Sequence, residues 1–259
     1  MLVQVVADYG LADLANAEVR QRLALHVPGA DVVYTPVGPF DTLAAGFCVA
    51  QLALGDGARD RIVYHNVAPR QDDDNPRPGN EGERLLAGWV RGALVVGVDA
   101  GHTFSFLRQE LDDLIAVAIP DSGSQFRSRD VFPPLLPRLL ARDPDVVAAA
   151  VAPDTLAPAP EGVVAYVDGY GNLKTTWADP PVTVSGEVQV RIGGVTGTAI
   201  AGEGTFDVPA GQLAFAPGSS GWTRREGPDL RWWELLIRGG SAYNYFDQPP
   251  TGTQVELVV

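Results

Sequence analysis

The sequence predicts an α/β N-terminal domain, with a mostly parallel sheet flanked by helices, followed by a smaller all-β, barrel-like C-terminal domain. Three observations carry this expectation. Short apolar runs alternate with Leu-, Ala- and Arg-rich helical stretches as far as 146–151, which is the pattern of successive strand–helix units. Residues 153–161 then hold Pro153, Pro158 and Pro160 and read as a linker. Beyond the linker Val182, Val184, Val188, Val190 and Ile192 alternate strictly, and Gly and Pro punctuate short segments as in a small sandwich or barrel. The expected division is 1–152, 153–161 and 162–259.

Composition narrows the function. The chain has 259 residues, 46% of them hydrophobic, enough for a sizeable core. A formal net charge of −13 argues against nucleic acid or an anionic membrane as partner, because phosphate groups are bound mainly by Lys and Arg. The one cysteine, Cys48, excludes an intrachain disulfide and sits in an apolar helical stretch. With no apolar run of bilayer length and no basic, then apolar, N-terminal leader, a cytoplasmic protein is expected.

The opening run 2–6 reads as a strand, ends at Ala7-Asp8-Tyr9-Gly10 and leads into a helix over 11–27. In open α/β sheets the carboxyl ends of strands face the ligand crevice, so Asp8 and Asp13 can line one cleft; equally, Asp8 can cap a loop and Asp13 can suit a helix dipole. A second strand over 31–37 precedes Pro39-Phe40-Asp41, where Asp41 can cap a helix bearing Leu43, Phe47, Ala50 and Leu54 on one face. Residues 61–64 form a strand, 71–83 a polar surface loop and 93–98 a buried strand ending at Asp99-Ala100-Gly101; a helix carrying Leu107, Leu111 and Leu114 is expected next. In Phe126-Arg127-Ser128-Arg129-Asp130, two arginines around a serine either start a surface helix or face an anionic group.

Residues 163–177 read as a hairpin around Asp168-Gly169-Tyr170-Gly171-Asn172. Asp168 and Asn172 suffice to make such a turn. With Tyr170 they also present a flat aromatic face beside an acceptor and an amide, which suits a heterocycle attached to a cationic group. Downstream, Gly218-Ser219-Ser220-Gly221 reads as a tight polar turn and 232–237 as a strand running into Arg238-Gly239-Gly240.

Several chemistries are set aside. Gly218 to Gly221 lacks the spacing and the strand–helix setting of a nucleophile elbow. Asp121-Ser122-Gly123 has no second copy, as an aspartic protease needs. His26, His65 and His102 have no metal-ligand spacing, so neither a metal nor a resident cofactor is expected.

Taken together, these motifs resemble the family of SAM-dependent chlorinases and fluorinases and SAM hydroxide adenosyltransferases. The correspondence runs through Asp8-Tyr9-Gly10 with Asp13, Pro39-Phe40-Asp41, Asp99-Ala100-Gly101, Phe126 to Asp130, Asp168 to Asn172, and Ser219-Ser220-Gly221 followed by Glu234 and Gly240-Ser241-Ala242. The resemblance implies a homotrimer that binds an adenosyl ligand between one subunit's N-terminal domain and its neighbour's C-terminal domain. Asp8 is then expected on the ribose diol, Phe40 beside the sugar, and Asp13, Asp168 and Ser219 on the methionine ammonium and carboxylate. Phe126 and Tyr170 are expected to flank adenine, with Asn172 and the backbone near Ile237 and Gly239 at its edge.

The reactive centre departs from the hydrolytic pattern of Asp, Arg and His. Tyr64-His65-Asn66 stands in the first segment, Arg70 lies near the expected arginine, and Arg127 stands where His is expected. Tyr64 matches the tyrosine of halogenating members and Ser128 the serine of fluorinating ones. The expected activity is displacement at adenosyl C5′ by water, giving adenosine and methionine, with Tyr64, Arg70, Arg127 and Ser128 as the catalytic set. The alternatives are a non-catalytic adenosyl binder and a halide-using variant.

Overall fold

The computed structural model describes residues 1–58, 60–68, 82–120, 123–182 and 186–258. It divides into two compact units, Met1–Pro158 and Ala159–Val259. In the first unit the chain runs β1 (Leu2–Ala7), α1 (Leu14–His26), β2 (Asp31–Pro36), α2 (Thr42–Leu54), β3 (Arg61–Asn66), β4 (Leu85–Val90), β5 (Ala93–Val98), β6 (Asp113–Val117), α3 (Arg127–Asp130), α4 (Leu136–Leu140) and β7 (Val147–Ala150). Of the polar loop expected over 71–83, residues 71–81 lie outside the described residues.

These strands form one seven-stranded sheet in the order β2-β1-β3-β5-β4-β6-β7. The pairs β2-β1, β1-β3 and β3-β5 are parallel, whereas β5-β4, β4-β6 and β6-β7 are antiparallel. Alternation of side chains splits the sheet into two faces. Val3, Val5, Ala7, Ile62, Tyr64, Leu94 and Val96 pack with Val19 and Leu23 of α1 and with Phe132 and Leu136. His65 and Gly97 point the other way, where His65 meets Phe104. Helix α2 is capped by Asp41, whose Oδ1 accepts from Ala44 N at 2.9 Å, and nearly every side chain from Leu43 to Leu54 is buried. Gly46 lets α2 approach closely, since a Cβ there would stand 2.0 Å from the His102 carbonyl oxygen.

The expectation of an α/β domain with a mostly parallel, helix-flanked sheet is corrected here. The chain is mostly β, built on two mixed sheets with fourteen strands and few helices among the described residues. The physical reason lies between residues 85 and 117. Leu85–Val90 and Ala93–Val98 are two apolar runs joined by Arg91 and Gly92, both at positive φ (51° and 84°), a two-residue turn that makes an antiparallel hairpin. The helix expected to carry Leu107, Leu111 and Leu114 is absent: the segment holds a single 3-10 turn, Ser105–Leu107, and Leu114 lies in β6. Thr103 Oγ1 donates to the Val98 carbonyl and accepts from Ala100 N, local bonds that compete with a helical start.

The second unit contains β8 (Val164–Val167), β9 (Leu173–Thr175), β10 (Gly186–Ile192), β11 (Val195–Ala201), β12 (Leu213–Trp222), β13 (Leu230–Ile237), α5 (Ala242–Tyr245) and β14 (Val255–Val258). Its sheet order is β14-β10-β11-β12-β13-β9-β8, with β11-β12 the parallel pair. An isolated bridge pairs Val163 with Gln254, the residues immediately before β8 and β14, the two edge strands of that order. The core is the inward face of β10 and β11, Phe215 stacked near Trp233 at 4.9 Å, Leu235 and Phe246. Gly218 to Gly221 is not a turn, as its composition suggests, but an irregular stretch inside β12 where the register with β13 shifts. Among the described residues no helix is long and apolar enough to cross a membrane.

Candidate functional site

In the first unit the polar residues gather where β1 ends. Beyond Ala7 the chain turns through Asp8, Tyr9 and Gly10, and Asp8 Oδ2 accepts from Phe40 N at 3.0 Å. Phe40 is half exposed and sits at φ 61°, a left-handed conformation that a bulky side chain adopts only when its surroundings impose it. Asp13 is the N-cap of α1, its Oδ1 accepting from Ala15 N at 2.9 Å. The Tyr34 hydroxyl, from β2, donates to the carbonyls of Ala7 and Tyr9. Burial, then the charges of Tyr9, Asp8 and Asp13, push its pKa up, so Tyr34 is a fixed donor that braces the turn.

Segment 124–130 closes on this turn. The Tyr9 hydroxyl lies 2.5 Å from Ser128 Oγ, and the Tyr9 ring meets Phe126 edge-on at 5.8 Å. Tyr64, fully buried in β3, donates its hydroxyl to the Ser128 carbonyl at 2.5 Å. Burial, aided by Tyr9, raises its pKa well above the ordinary phenol range, so Tyr64 is a neutral donor and no base at physiological pH. The Arg129 guanidinium stacks on Phe126 at 4.8 Å and is held by Asp130 and, across on α1, by Glu18 at 3.0 Å. Asp130 is held low, to about 2, by Arg129 and then by Ser124 Oγ, which also accepts from Phe126 N. The Arg127 Nη1 donates to the Glu83 carbonyl at 3.2 Å, and the guanidinium lies over Phe132.

Asp8, Phe40, Tyr64, Phe126 and Ser128 are thus linked through Tyr9 and its neighbours, whereas Asp13 is engaged in capping and Arg70 lies outside the described residues. Nothing in the local pattern marks Tyr9 as more than a turn residue. Its hydroxyl acquires a partner 119 positions away only when α3 docks on the sheet.

In the second unit the 168–172 turn is closed by its own side chains. Asp168 Oδ1 accepts from Tyr170 N (2.9 Å) and Asn172 N (3.0 Å), and Oδ2 accepts from Asn172 Nδ2 (2.9 Å). Burial alone raises the Asp168 pKa, but the Asn172 backbone N–H, the Lys174 charge, the Asn172 amide and the Tyr170 N–H outweigh it, leaving the carboxyl below its usual range. Tyr170 projects from this turn and is 83% exposed. The neighbouring turn through Ile237, Gly239 and Gly240 abuts it: Gly171 packs on Ser241, and its carbonyl accepts from Tyr243 N at 2.8 Å.

Behind the turn stands Lys174, which sequence reading passed over although it is the only lysine among the 259 residues. Its Nζ contacts Glu234 on the partner strand and lies 3.3 Å from Asp168 Oδ2. Glu234 in turn lies against Gly218, next to Ser219; a Cβ at Gly218 would stand 3.0 Å from its carboxyl carbon. Among the described residues no group of three or more His, Cys, Asp and Glu could hold a metal ion.

No family model matches this chain, and no curated protein does. Solved structures do match, and two of them align with this chain almost from end to end. One is an uncharacterized conserved protein from Thermotoga maritima, similar over 99% of this chain and 100% of that one, with a TM-score of 0.77 at 18% identity. Another is a conserved hypothetical protein from Thermus thermophilus, covering 99% of both chains with a TM-score of 0.68 at 26% identity. Both likenesses concern the fold.

Proposed function

We propose that this protein cleaves S-adenosylmethionine, displacing methionine from adenosyl C5′ with water to give adenosine. The observation that carries the reading is the convergence of Asp8, Tyr9, Phe40, Tyr64, Phe126 and Ser128 at the carboxyl end of β1, drawn from separate stretches of sequence. These are residues on which the adenosyl-transferring resemblance rests. A carboxylate suits a ribose diol and the aromatic rings suit a purine or sugar face.

The chemistry asks little of an acid. The C5′–O bond forms as the C5′–S bond breaks, the bonding pair goes to sulfur, methionine leaves as a neutral thioether, and the attacking water releases one proton. The protein's task is to align water opposite sulfur and keep bulk solvent out. Ser128 is the hydroxyl suited to orient it, with Tyr64 holding the Ser128 backbone in place. The Tyr170 face, Asn172, Asp168, Ser219 and the backbone at Ile237 and Gly239 serve as the second half-site, with Asp13 at the amino-acid end. A homotrimer, no resident cofactor and a cytoplasmic location belong to the same proposal; light scattering on the purified protein tests the first.

A second reading, a non-catalytic adenosyl binder, is favoured by one observation: the Tyr64 proton is committed to a backbone carbonyl and the Arg127 guanidinium to Glu83. Incubation with S-adenosylmethionine, with and without chloride, against a heat-inactivated control separates the readings. Adenosine and methionine support hydrolysis, a 5′-chloro nucleoside supports halide transfer, and intact substrate with measurable binding moves the reading to a binder.

A further inference from the structure

Asn66 is the last residue of β3, in register with Ala7 just before the turn that carries Asp8 and Tyr9. Side chains alternate along a strand. His65 points towards Phe104, so Asn66 emerges on the opposite face, the face of Tyr64. Ala7 flanks it on β1, and on β5 Val98 follows the His65–Gly97 pair. Ala7 and Val98 both belong to the core that Tyr64 joins, and Tyr9 and Phe126 pack against the same core. An amide therefore stands between two buried apolar side chains, roughly 6.5–7 Å along the strand from Tyr64.

Asn66 is partly buried, and its side chain makes no hydrogen bond to any described residue. The polar groups around it are engaged. Tyr64 gives its proton to the Ser128 carbonyl, the Tyr9 and Ser128 hydroxyls share one hydrogen bond, Asp8 Oδ2 accepts from Phe40 N, and Arg127 donates to the Glu83 carbonyl. A water attacking carbon must keep a lone pair for it, so it is best held through its two O–H groups, by acceptors. Tyr64 acts here as a donor, and a guanidinium has no acceptor at all. The Tyr9–Ser128 hydroxyl pair can take one O–H. The carbonyl oxygen of Asn66 is a second acceptor on this face of the sheet, and it is neutral.

We propose, resting on the hydrolytic reading of this site, that Asn66 is a further catalytic residue. Its Oδ1 accepts a hydrogen bond from the attacking water while Ser128 holds the other O–H, and the lone pair between them is aimed at C5′. As the C5′–O bond forms, the C5′–S pair goes to sulfur and one proton leaves the attacking oxygen. An amide is too weak a base to keep that proton, which passes to solvent water.

The test uses two variants of nearly the same shape. Asn66→Leu removes both polar atoms; kcat for S-adenosylmethionine is expected to fall by about ten- to a hundredfold, with KM within about twofold of wild type. Asn66→Asp keeps an acceptor and adds a base. Its kcat is expected to gain a limb that rises with pH as the new carboxyl ionises, a limb absent from wild type and one that a merely structural role for Asn66 does not produce. This variant also serves if Asn66→Leu fails to fold. Calorimetry with S-adenosylhomocysteine, which is not cleaved, checks that both variants keep the ligand site, with affinity expected within about twofold of wild type.

An unchanged kcat in Asn66→Leu, a loss confined to KM, or an Asn66→Asp profile parallel to that of wild type overturns the proposal and leaves the hydrolytic reading standing. A wild type that binds S-adenosylhomocysteine but releases no adenosine from S-adenosylmethionine overturns both.

Discussion

The Tyr9 hydroxyl stands 2.5 Å from Ser128 Oγ, joining the turn after β1 to helix α3. The same tyrosine carries the Phe126 ring on its edge, and its carbonyl takes the Tyr34 hydroxyl, so one side chain ties the site's aromatic wall to its hydroxyl. Tyr9→Phe keeps the ring and removes the hydroxyl. The expected outcome is a loss of about 1 kcal/mol in unfolding free energy, one hydrogen bond, measured by denaturant titration. If Ser128 orients the attacking water, kcat for S-adenosylmethionine falls by about ten- to a hundredfold with KM little changed, since a misaligned nucleophile costs rate rather than binding. An unchanged kcat in an active enzyme removes Tyr9 from the mechanism.

Asp8 and Phe40 are coupled through the backbone, because the carboxylate receives the amide of a residue held at φ 61°. Asp8→Ala is expected to cost at least about tenfold in adenosyl-ligand affinity through the lost charged acceptor. Phe40→Gly relieves roughly 1 kcal/mol of left-handed strain and gives up only a half-exposed ring, so its stability is expected to stay within about 1 kcal/mol of wild type. Its ligand affinity should nevertheless drop. A variant that binds as well as wild type rules out a Phe40 contact with the sugar.

How far the molecule could be read in advance depends on the range of the interaction. The strand over 2–6, the capped helix after Asp41 and the Asp168–Asn172 turn are local, and each was legible because its pattern or cap lies within a few residues. The hairpin of β4 and β5 was not, because an apolar run looks the same whether its neighbour is parallel or antiparallel. Only Arg91-Gly92 hinted at the two-residue turn, and Arg is no standard turn residue at positive φ. The serine stretch in β12 reads as a turn by composition, yet pairing with β13 on both sides keeps it in the strand. The Lys174–Glu234 pair spans 60 residues and rests on the register of β9 with β13, which no local signal specifies. What sequence did offer was its rarity: a lone lysine between Leu173 and Thr175 in a strand.

His65 is the acid-sensitive point of the first unit. It is fully buried beside Gly97 and Phe104, with no hydrogen-bond partner for either ring nitrogen among the described residues, and burial lowers its pKa from 6.5 to about 3. Between those values the unfolded chain binds the proton and the folded chain does not. Stability is therefore fully present above pH 6.5 and declines as pH falls towards 3, by as much as about 5 kcal/mol from this group. His65→Met, which fills a similar volume and does not titrate, is expected to flatten the slope between about pH 7 and pH 4 in denaturant titrations. A slope equal to that of wild type means that His65 is not the group responsible.

Gly171 is where backbone freedom and close packing are both required. Its φ of 79° is left-handed, and a Cβ there would stand 2.1 Å from Ser241 Oγ. That hydroxyl is not free to step aside without loss, since it caps α5 by accepting from Asn244 N at 3.2 Å. Gly171→Ala is therefore expected to cost about 2–3 kcal/mol, from the left-handed alanine and the disturbed cap together. Adding Ser241→Gly clears the clash but leaves the strained φ and forfeits the side-chain cap. The double variant should then recover only part of the loss relative to Gly171→Ala, which a double-mutant cycle reads as a favourable coupling between the two positions. Strict additivity would mean that the two turns do not press on each other, and the link between the Asp168 turn and the Ile237–Gly240 backbone would have to run through the Gly171 carbonyl and Tyr243 N alone.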